Sequence, residues 1–321
     1  MSKAEYKFFK SIFTVEKSEE SLLISIKTPT PRNQTIDLHE FNKMKRVSIE
    51  LGRYNSLSQG STDLTFLSEI FQTLNSYTSL KVVFTSLGLN DCHALQLFDL
   101  LFFRIQHLTE IEISLKNCKI TNEPILFFCN NILPRATSLN YFTLQLGHTQ
   151  INDLSLIALA KALSPFSKNL KEFLLGVENT GITDDGIEKI FGIIEGVKTL
   201  RLYLDGTLIT DRSLKLLGEK KMPVNLEKLS LDVSETKITM EGVTAIFTGI
   251  PKDIGRLSLS FEGIKLSDEV ISLFERTVCL KLGVVEDVHL RLEGRELREK
   301  ALKILERVRK EAEDRRIKEN K

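Results

Sequence analysis

One frame recurs nine times along the chain at a spacing of about 30 residues, and a repeat of that length constrains the fold more than any composition does. Each unit opens on an apolar anchor: Met44, Tyr77, Leu108, Leu139, Leu170, Val197, Leu226, Ile254 and Val285. Apolar side chains then occupy three alternating positions, as in Val47/Ile49/Leu51, Phe173/Leu175/Val177, Leu200/Leu202/Leu204 and Val288/Leu290/Leu292, and the other five units read the same way. An apolar period of two is a strand with one face buried.

The second half of each unit changes period. Ala94, Leu97, Phe98 and Leu101 fall at helical spacing, as do Ile125, Phe128, Cys129 and Ile132, then Ile187, Ile190, Phe191 and Ile194, and Val243, Ile246, Phe247 and Ile250. The pattern predicts an amphipathic helix of about three turns. Thr121, Asn152, Thr183, Thr210 and Ser267 stand where an N-cap is needed, with oxygens that can accept from a free helical N–H. Acids follow at once, at Asp153, Asp184, Asp211 and Asp268, where the helix dipole favours negative charge. Pro134, Pro165, Pro223 and Pro251 mark the returns from helix to next strand.

One strand with one helix cannot cover its own apolar face, so neighbouring units must stack, strand parallel to strand, with the helices as a second layer. Helices are wider than the ~4.8 Å spacing of strands, which forces the stack to curve with the sheet inside. The predicted fold is therefore an α/β solenoid, a horseshoe of about nine units.

The stretch Leu226-Glu-Lys-Leu229-Ser-Leu231, continued by Thr236-Lys-Ile238-Thr-Met-Glu-Gly-Val, resembles a leucine-rich repeat of the ribonuclease-inhibitor-like subclass, which carries a full helix per unit. The resemblance covers residues 44 to about 308 and differs from the common pattern in two ways. Each strand has one extra in-facing position, a long-strand variant similar to repeats of protist proteins. The usual ladder asparagine is replaced by Cys118, Thr149, Thr180, Thr207 and Thr236, and then by Ile264 and Arg295. Thr and Cys can still bond backbone in that turn; Ile264 cannot.

An open-ended solenoid needs caps. Residues 1–43 supply apolar candidates in Ala4, Tyr6, Phe8, Phe9, Ile12 and Phe13, then a strand-like Leu22, Ile24 and Ile26 ahead of Pro29 and Pro31. At the other end, Leu297, Ala301, Leu302, Leu305 and Val308 read as the last helix, and residues 309–321 as a charged helical tail. From Arg295 onward the chain holds 11 basic and 7 acidic residues, although its overall net charge is only +1. That near-neutral balance argues against a dedicated nucleic-acid binder. No apolar run is long enough for a membrane span. The first residues lack a signal core, and the cysteines have neither metal nor redox spacing, so a reduced cytoplasmic chain is expected.

Catalytic patterns are absent from the sequence. Gly181 to Gly186 has the glycine spacing of a phosphate loop, but Ile187 follows in place of the Lys and Ser/Thr that would hold phosphate and magnesium. His39, His93, His107, His148 and His289 belong to different units and share no ligand spacing. Asn33-Gln-Thr35 fits a glycosylation acceptor, a coincidence in a chain without a secretory route. We expect no enzyme activity, no cofactor, no metal and no small-molecule substrate.

What the architecture exposes is the face between the buried strand positions. Its residues lean acidic, and Tyr203 between Arg201 and Asp205 resembles an interface anchor flanked by charge. Glu178, Arg201, Tyr203, Asp205, Asp232 and Glu262 are the expected protein-binding residues. The reading is a non-enzymatic protein-interaction or scaffold module. Its alternatives are a structural part of a cytoskeletal or ciliary assembly, or a GTPase-regulating or ubiquitin-adaptor repeat protein.

Overall fold

The computed structural model describes residues 2–8, 11–17, 21–27, 45–51, 71, 77–84, 89–102, 105–281 and 287–319. Met44, Val285, Phe9, Pro29, Pro31, His39, the Asn33–Thr35 triplet and Lys321 lie outside the described residues. The described strands form one twelve-stranded sheet whose order follows the chain from end to end. Strands β1 (Ser2–Phe8), β2 (Ser11–Lys17) and β3 (Ser21–Lys27) make an antiparallel meander, and β3 then pairs in parallel with β4 (Arg46–Leu51). The parallel set continues through β5 (Ser79–Phe84), β6 (Glu110–Ser114), β7 (Tyr141–Gln145) and β8 (Glu172–Gly176). It ends with β9 (Thr199–Tyr203), β10 (Lys228–Asp232), β11 (Arg256–Phe261) and β12 (Asp287–Leu292).

The repeat predicts nine parallel strands, and β4 to β12 are those nine; β3 extends the parallel run by one. Its Leu22, Ile24 and Ile26 share the period-two pattern and fall in register with Val47, Ile49 and Leu51. Every link in the parallel set is in register, so one row of like residues crosses many strands: Leu144, Leu175, Leu202, Leu231, Leu259 and Leu290 are successive partners. The alternating positions are buried in each unit, except for half-buried Leu290 in the last strand, and the side chain of Leu51 is outside the described ones. Phe142 stacks on Phe173 across two units, ring centroids 6.2 Å apart, within the distance at which aromatic pairs add to area burial.

The helices are α1 (Asp91–Leu101), α2 (Asn122–Phe127), α3 (Asp153–Leu163), α4 (Asp184–Ile190), α5 (Asp211–Leu216), α6 (Met240–Gly249), α7 (Glu269–Lys281) and α8 (Arg295–Glu319). Three of them fall short of the expected three turns. Helix α4 stops at Ile190 because its unit has the shortest spacing, Leu170 to Val197, so Ile194 packs from the return loop. Helices α2 and α5 widen into single π-turns at Phe128–Ile132 and Leu217–Lys221. At the second of these, Gly218 and Gly249 let neighbouring helices touch backbone to backbone, since a Cβ on Gly218 would collide with the main chain of Ala245 and one on Gly249 with that of Gly218. Among the described residues, no helix is long and apolar enough to cross a membrane.

Thr121, Asn152, Thr183 and Thr210 cap their helices as expected, each accepting from the N–H two residues ahead; Thr239 does the same for α6, and Asn90 caps α1 by accepting from the His93 N–H three residues ahead. The expected cap Ser267 is displaced: α7 starts at Glu269, so Asp268 adjoins it. The acids behind the caps do more than answer the helix dipole. Asp153 accepts from the N–H and hydroxyl of Thr183 at 2.8 and 2.6 Å, Asp184 from those of Thr210 at 3.0 and 2.7 Å, and Asp211 from those of Thr239 at 2.7 and 2.6 Å. Asp91 holds Thr121 the same way, and Asn122 takes the acid's place by accepting from the Asn152 N–H at 3.0 Å. The result is a polar ladder from unit to unit along the helix starts, where each acid satisfies the free N–H of the next unit's cap.

The threonines that replace the usual ladder asparagine act within their own turns. Thr149, Thr180 and Thr207 each donate to the carbonyl three residues back at 2.6 Å, and Thr236 does so at 2.5 Å. Cys118 reaches the Phe84 carbonyl at 3.6 Å, and Ile264 is simply buried.

Candidate functional site

Among the described residues, no group of His, Cys, Asp and Glu is arranged to hold a metal ion. Gly186 lies in α4 against the Asp153 carboxylate, and Gly181 bridges to Asn152, so the phosphate-loop spacing marks a turn and a helix start. Cys118 and Cys129 are buried, and burial pushes the Cys129 thiol up to about 12, which keeps it protonated at neutral pH.

The exposed face of the sheet is organised in rows, because parallel strands in register place like positions side by side. One row lies just beyond the strand ends: Lys116, Gly147, Glu178, Asp205, Ser234 and Glu262. Backbone bonds of 2.7 to 2.9 Å link the successive units there, such as His148 N–H to the Glu178 carbonyl and Asn179 N–H to that of Asp205. The next residue in each unit has left-handed backbone: Asn117, His148, Asn179, Gly206, Glu235 and Gly263, with φ between 53 and 75°. That conformation, native to glycine and tolerated by asparagine, turns the chain off the sheet toward the helix.

Within this row sits a notch of acids. Glu178 is only 6% exposed, because Gly147 and Gly176 leave an empty shelf for its carboxylate; a Cβ at either glycine would strike it. Lys116, two units away, reaches across Gly147 to pair with Glu178 Oε1. The other oxygen, Oε2, is buried with no hydrogen-bond partner among the described residues. Asp205 adjoins Glu178, with Asp232 on the following strand. Burial pushes the Asp205 carboxyl up, the charges of Asp232 and Glu178 add to the rise, and Lys116 only partly offsets them. Tyr203 is half-buried at the end of β9, two residues before Asp205 and in register with Asp232.

The expected site residues therefore divide. Glu178, Asp205 and Asp232 come together beside Tyr203. Glu178 is buried, although the alternation places it among the exposed residues. Glu262 is separated from the acids by Ser234, whose hydroxyl accepts from the Glu262 N–H at 3.1 Å. Arg201 lies at the middle of β9, 3.6 Å from Glu172.

Arg201 belongs to a second feature that counting along the sequence missed. It lines a shallow recess of about 220 Å³ with Lys228, Arg256, His289, Ser230 and Ser258. Lys228 and Arg256 are register partners that stand one residue before the first buried position of β10 and β11. An inventory starting at the next exposed position omits both, which is part of why the concavity reads as leaning acidic. Across β9 to β11 the face is instead divided, with Asp205 and Asp232 toward the strand ends and Lys228 and Arg256 at the strand starts.

No protein-family model matches the chain, and no curated protein matches it. Among solved structures, the chain is similar to an internalin (inlF) from Listeria monocytogenes, at 17% identity and a TM-score of 0.41, over 78% of this chain and 62% of that one. The chain thus spans less than two thirds of the internalin's length. It is also similar to a chain of the Rad7 and Elc1 complex of yeast, at 13% identity and a TM-score of 0.41, over 80% of this chain and 76% of that one.

Proposed function

We propose that the chain is a non-enzymatic protein-interaction module of the leucine-rich-repeat kind, whose exposed sheet face receives a basic segment of a protein partner in the notch of Glu178, Asp205 and Asp232. The carrying observation is the buried, unpartnered Glu178 Oε2 beside an Asp205 whose carboxyl is pushed up. A folded protein that leaves a buried acceptor unsatisfied next to like charges gives up stability there, and a cationic group would remove both costs. Tyr203 supplies the half-buried aromatic wall that such a contact needs.

On this reading residues 44–308 are the solenoid, 1–43 its N-terminal cap and 309–321 a charged tail with its own contact. The full helices of several units support the ribonuclease-inhibitor-like subclass. A cytoplasmic setting, in which the module serves as a scaffold and takes no nucleic acid or small-molecule substrate, fits the near-neutral charge. A place within a cytoskeletal or ciliary assembly is the second reading, and a GTPase-regulating or ubiquitin-adaptor role the third.

The notch sets stability against binding. With its carboxyl raised, Asp205 destabilises the free fold once pH climbs through the raised value, and protonation on the acid side relieves it. Asp205→Asn should therefore stabilise the free protein slightly at neutral pH, by less than about 1 kcal/mol given solvent screening, seen as a small rise in melting temperature, and weaken partner binding. Tyr203→Ala should weaken the partner by about 2 kcal/mol, roughly 30-fold, with little effect on melting. Calorimetric titration of the partner against both variants checks this; unchanged affinity in both contradicts the notch.

A further inference from the structure

We infer that the basic recess on the same sheet face is a receptor for one phosphorylated serine or threonine side chain of a protein partner. The proposal rests on reading this face as the docking surface, but not on the acidic notch. Three permanent cations, Arg201, Lys228 and Arg256, rim a recess of about 220 Å³, and His289 joins them from β12. The floor is made by Ser230 and Ser258, which are register partners with short side chains, so long cations surround a shallow well that offers two hydroxyl donors. At ~30 Å³ per water the well has room for a phosphoryl group together with its bound waters.

The charges favour a dianion over a carboxylate. Lys228 and Arg256 lie directly opposite each other on adjacent strands, where like charges repel and an anion shared by the two is favoured. Lys228 makes no ion pair among the described residues. Glu172 offsets Arg201 from 3.6 Å at one side of the well, and Asp287 stands in backbone register with Arg256. Two guanidiniums can each give paired N–H bonds to phosphate oxygens, and a phosphoryl group has three oxygens to share among them. A partner that fits both ends of the face would carry its phosphate on one side of a basic stretch, the phosphate over β10 and β11 and the cations over Glu178 and Asp205.

The test uses the full chain and a pool of short peptides randomised around a fixed central phosphoserine, with parallel pools carrying serine or glutamate at that place. Fluorescence anisotropy should show binding of the phosphoserine pool only, competed by inorganic phosphate. Sequencing of the retained peptides should show enrichment of Lys and Arg to one side of the phosphoserine. Lys228→Ala and Arg256→Ala should each cut that binding at least about tenfold, and Arg256→Lys should not restore it, because an ammonium lacks the paired donors. Neither position is buried, and an unchanged melting curve separates loss of binding from loss of fold. Tyr203→Ala distinguishes the two readings: if the notch fails and the recess holds, phosphopeptide binding still depends on Lys228 and is indifferent to Tyr203. Equal binding of the serine or glutamate pool, survival of binding in Lys228→Ala, or preference for phosphoinositide-containing vesicles over the peptides overturns the proposal.

Discussion

Leu175→Asp should cost the chain its cooperative fold around the fifth unit, visible as a fall in melting temperature of at least about 10 °C by circular dichroism. Leu175 is fully buried on β8, in register with Leu144 and Leu202. Removing a buried leucine costs about 2–5 kcal/mol, and a carboxyl group in its place adds several more even after it takes up a proton. Most single domains hold only ~5–15 kcal/mol in reserve. In a solenoid the damage spreads through nearest-neighbour interfaces, so β7 and β9 lose their partner as well. A melting curve within a few degrees of the parent would mean that the strand register is wrong.

The second large effect lies in the polar ladder. Asp184→Ala removes the acceptor for the N–H and hydroxyl of both Thr210 and Ser213, groups packed where water does not replace it. The expected loss is about 2–4 kcal/mol, since buried donors are left unsatisfied and the acceptor they lose is charged. Asp184→Asn should cost less, because the same ladder already runs through an amide at Asn122, which accepts from Asn152 and Ser155. The pH dependence follows from Asp184 itself. Burial would raise its carboxyl, but the bonds from Ser213 and Thr210 prevail and hold it below the ordinary value. Its contribution is thus complete above the unfolded carboxylate value of about 3.9 and is lost as pH falls through the lower folded value. Acid melts of the parent and of Asp184→Asn should converge at low pH; curves that stay parallel down to pH ~2 would remove Asp184 from the ladder.

These two residues also mark what could be read from the amino acids. Leu175 belongs to a period-two pattern repeated in every unit, so strand direction, register and the buried face all follow from it. Asp184 was legible only as an acid at a helix start, which the dipole alone explains. Its true partner is in the next unit, and single-helix reasoning does not look that far. The sequence signal exists as a correlation: an Asp at the helix start in one unit accompanies a Thr at the cap of the next. The turn off the sheet was hidden for a related reason, since Glu235 and His148 adopt a backbone that Gly206, Gly263, Asn117 and Asn179 suit but that their own residue types do not advertise.

The candidate site was half visible. Alternation correctly put Asp205, Asp232 and Tyr203 on one exposed face. It could not show that Glu178 sinks, because that depends on the missing side chains of Gly147 in a neighbouring unit and Gly176 two residues away. Nor could it show the recess, whose cations Lys228 and Arg256 precede the alternating pattern by one position.

The central claim is that the sheet face, not the helical one, meets the partner. A photo-crosslinking residue placed at Tyr203, and separately at Ile157 on α3, 41% exposed on the helical side, compares the two within one molecule. After irradiation in cells that express the chain, mass spectrometry identifies each adduct. Specific crosslinks to a protein segment rich in Lys and Arg from position 203, and none from position 157, are the predicted result; crosslinks confined to position 157 would contradict it.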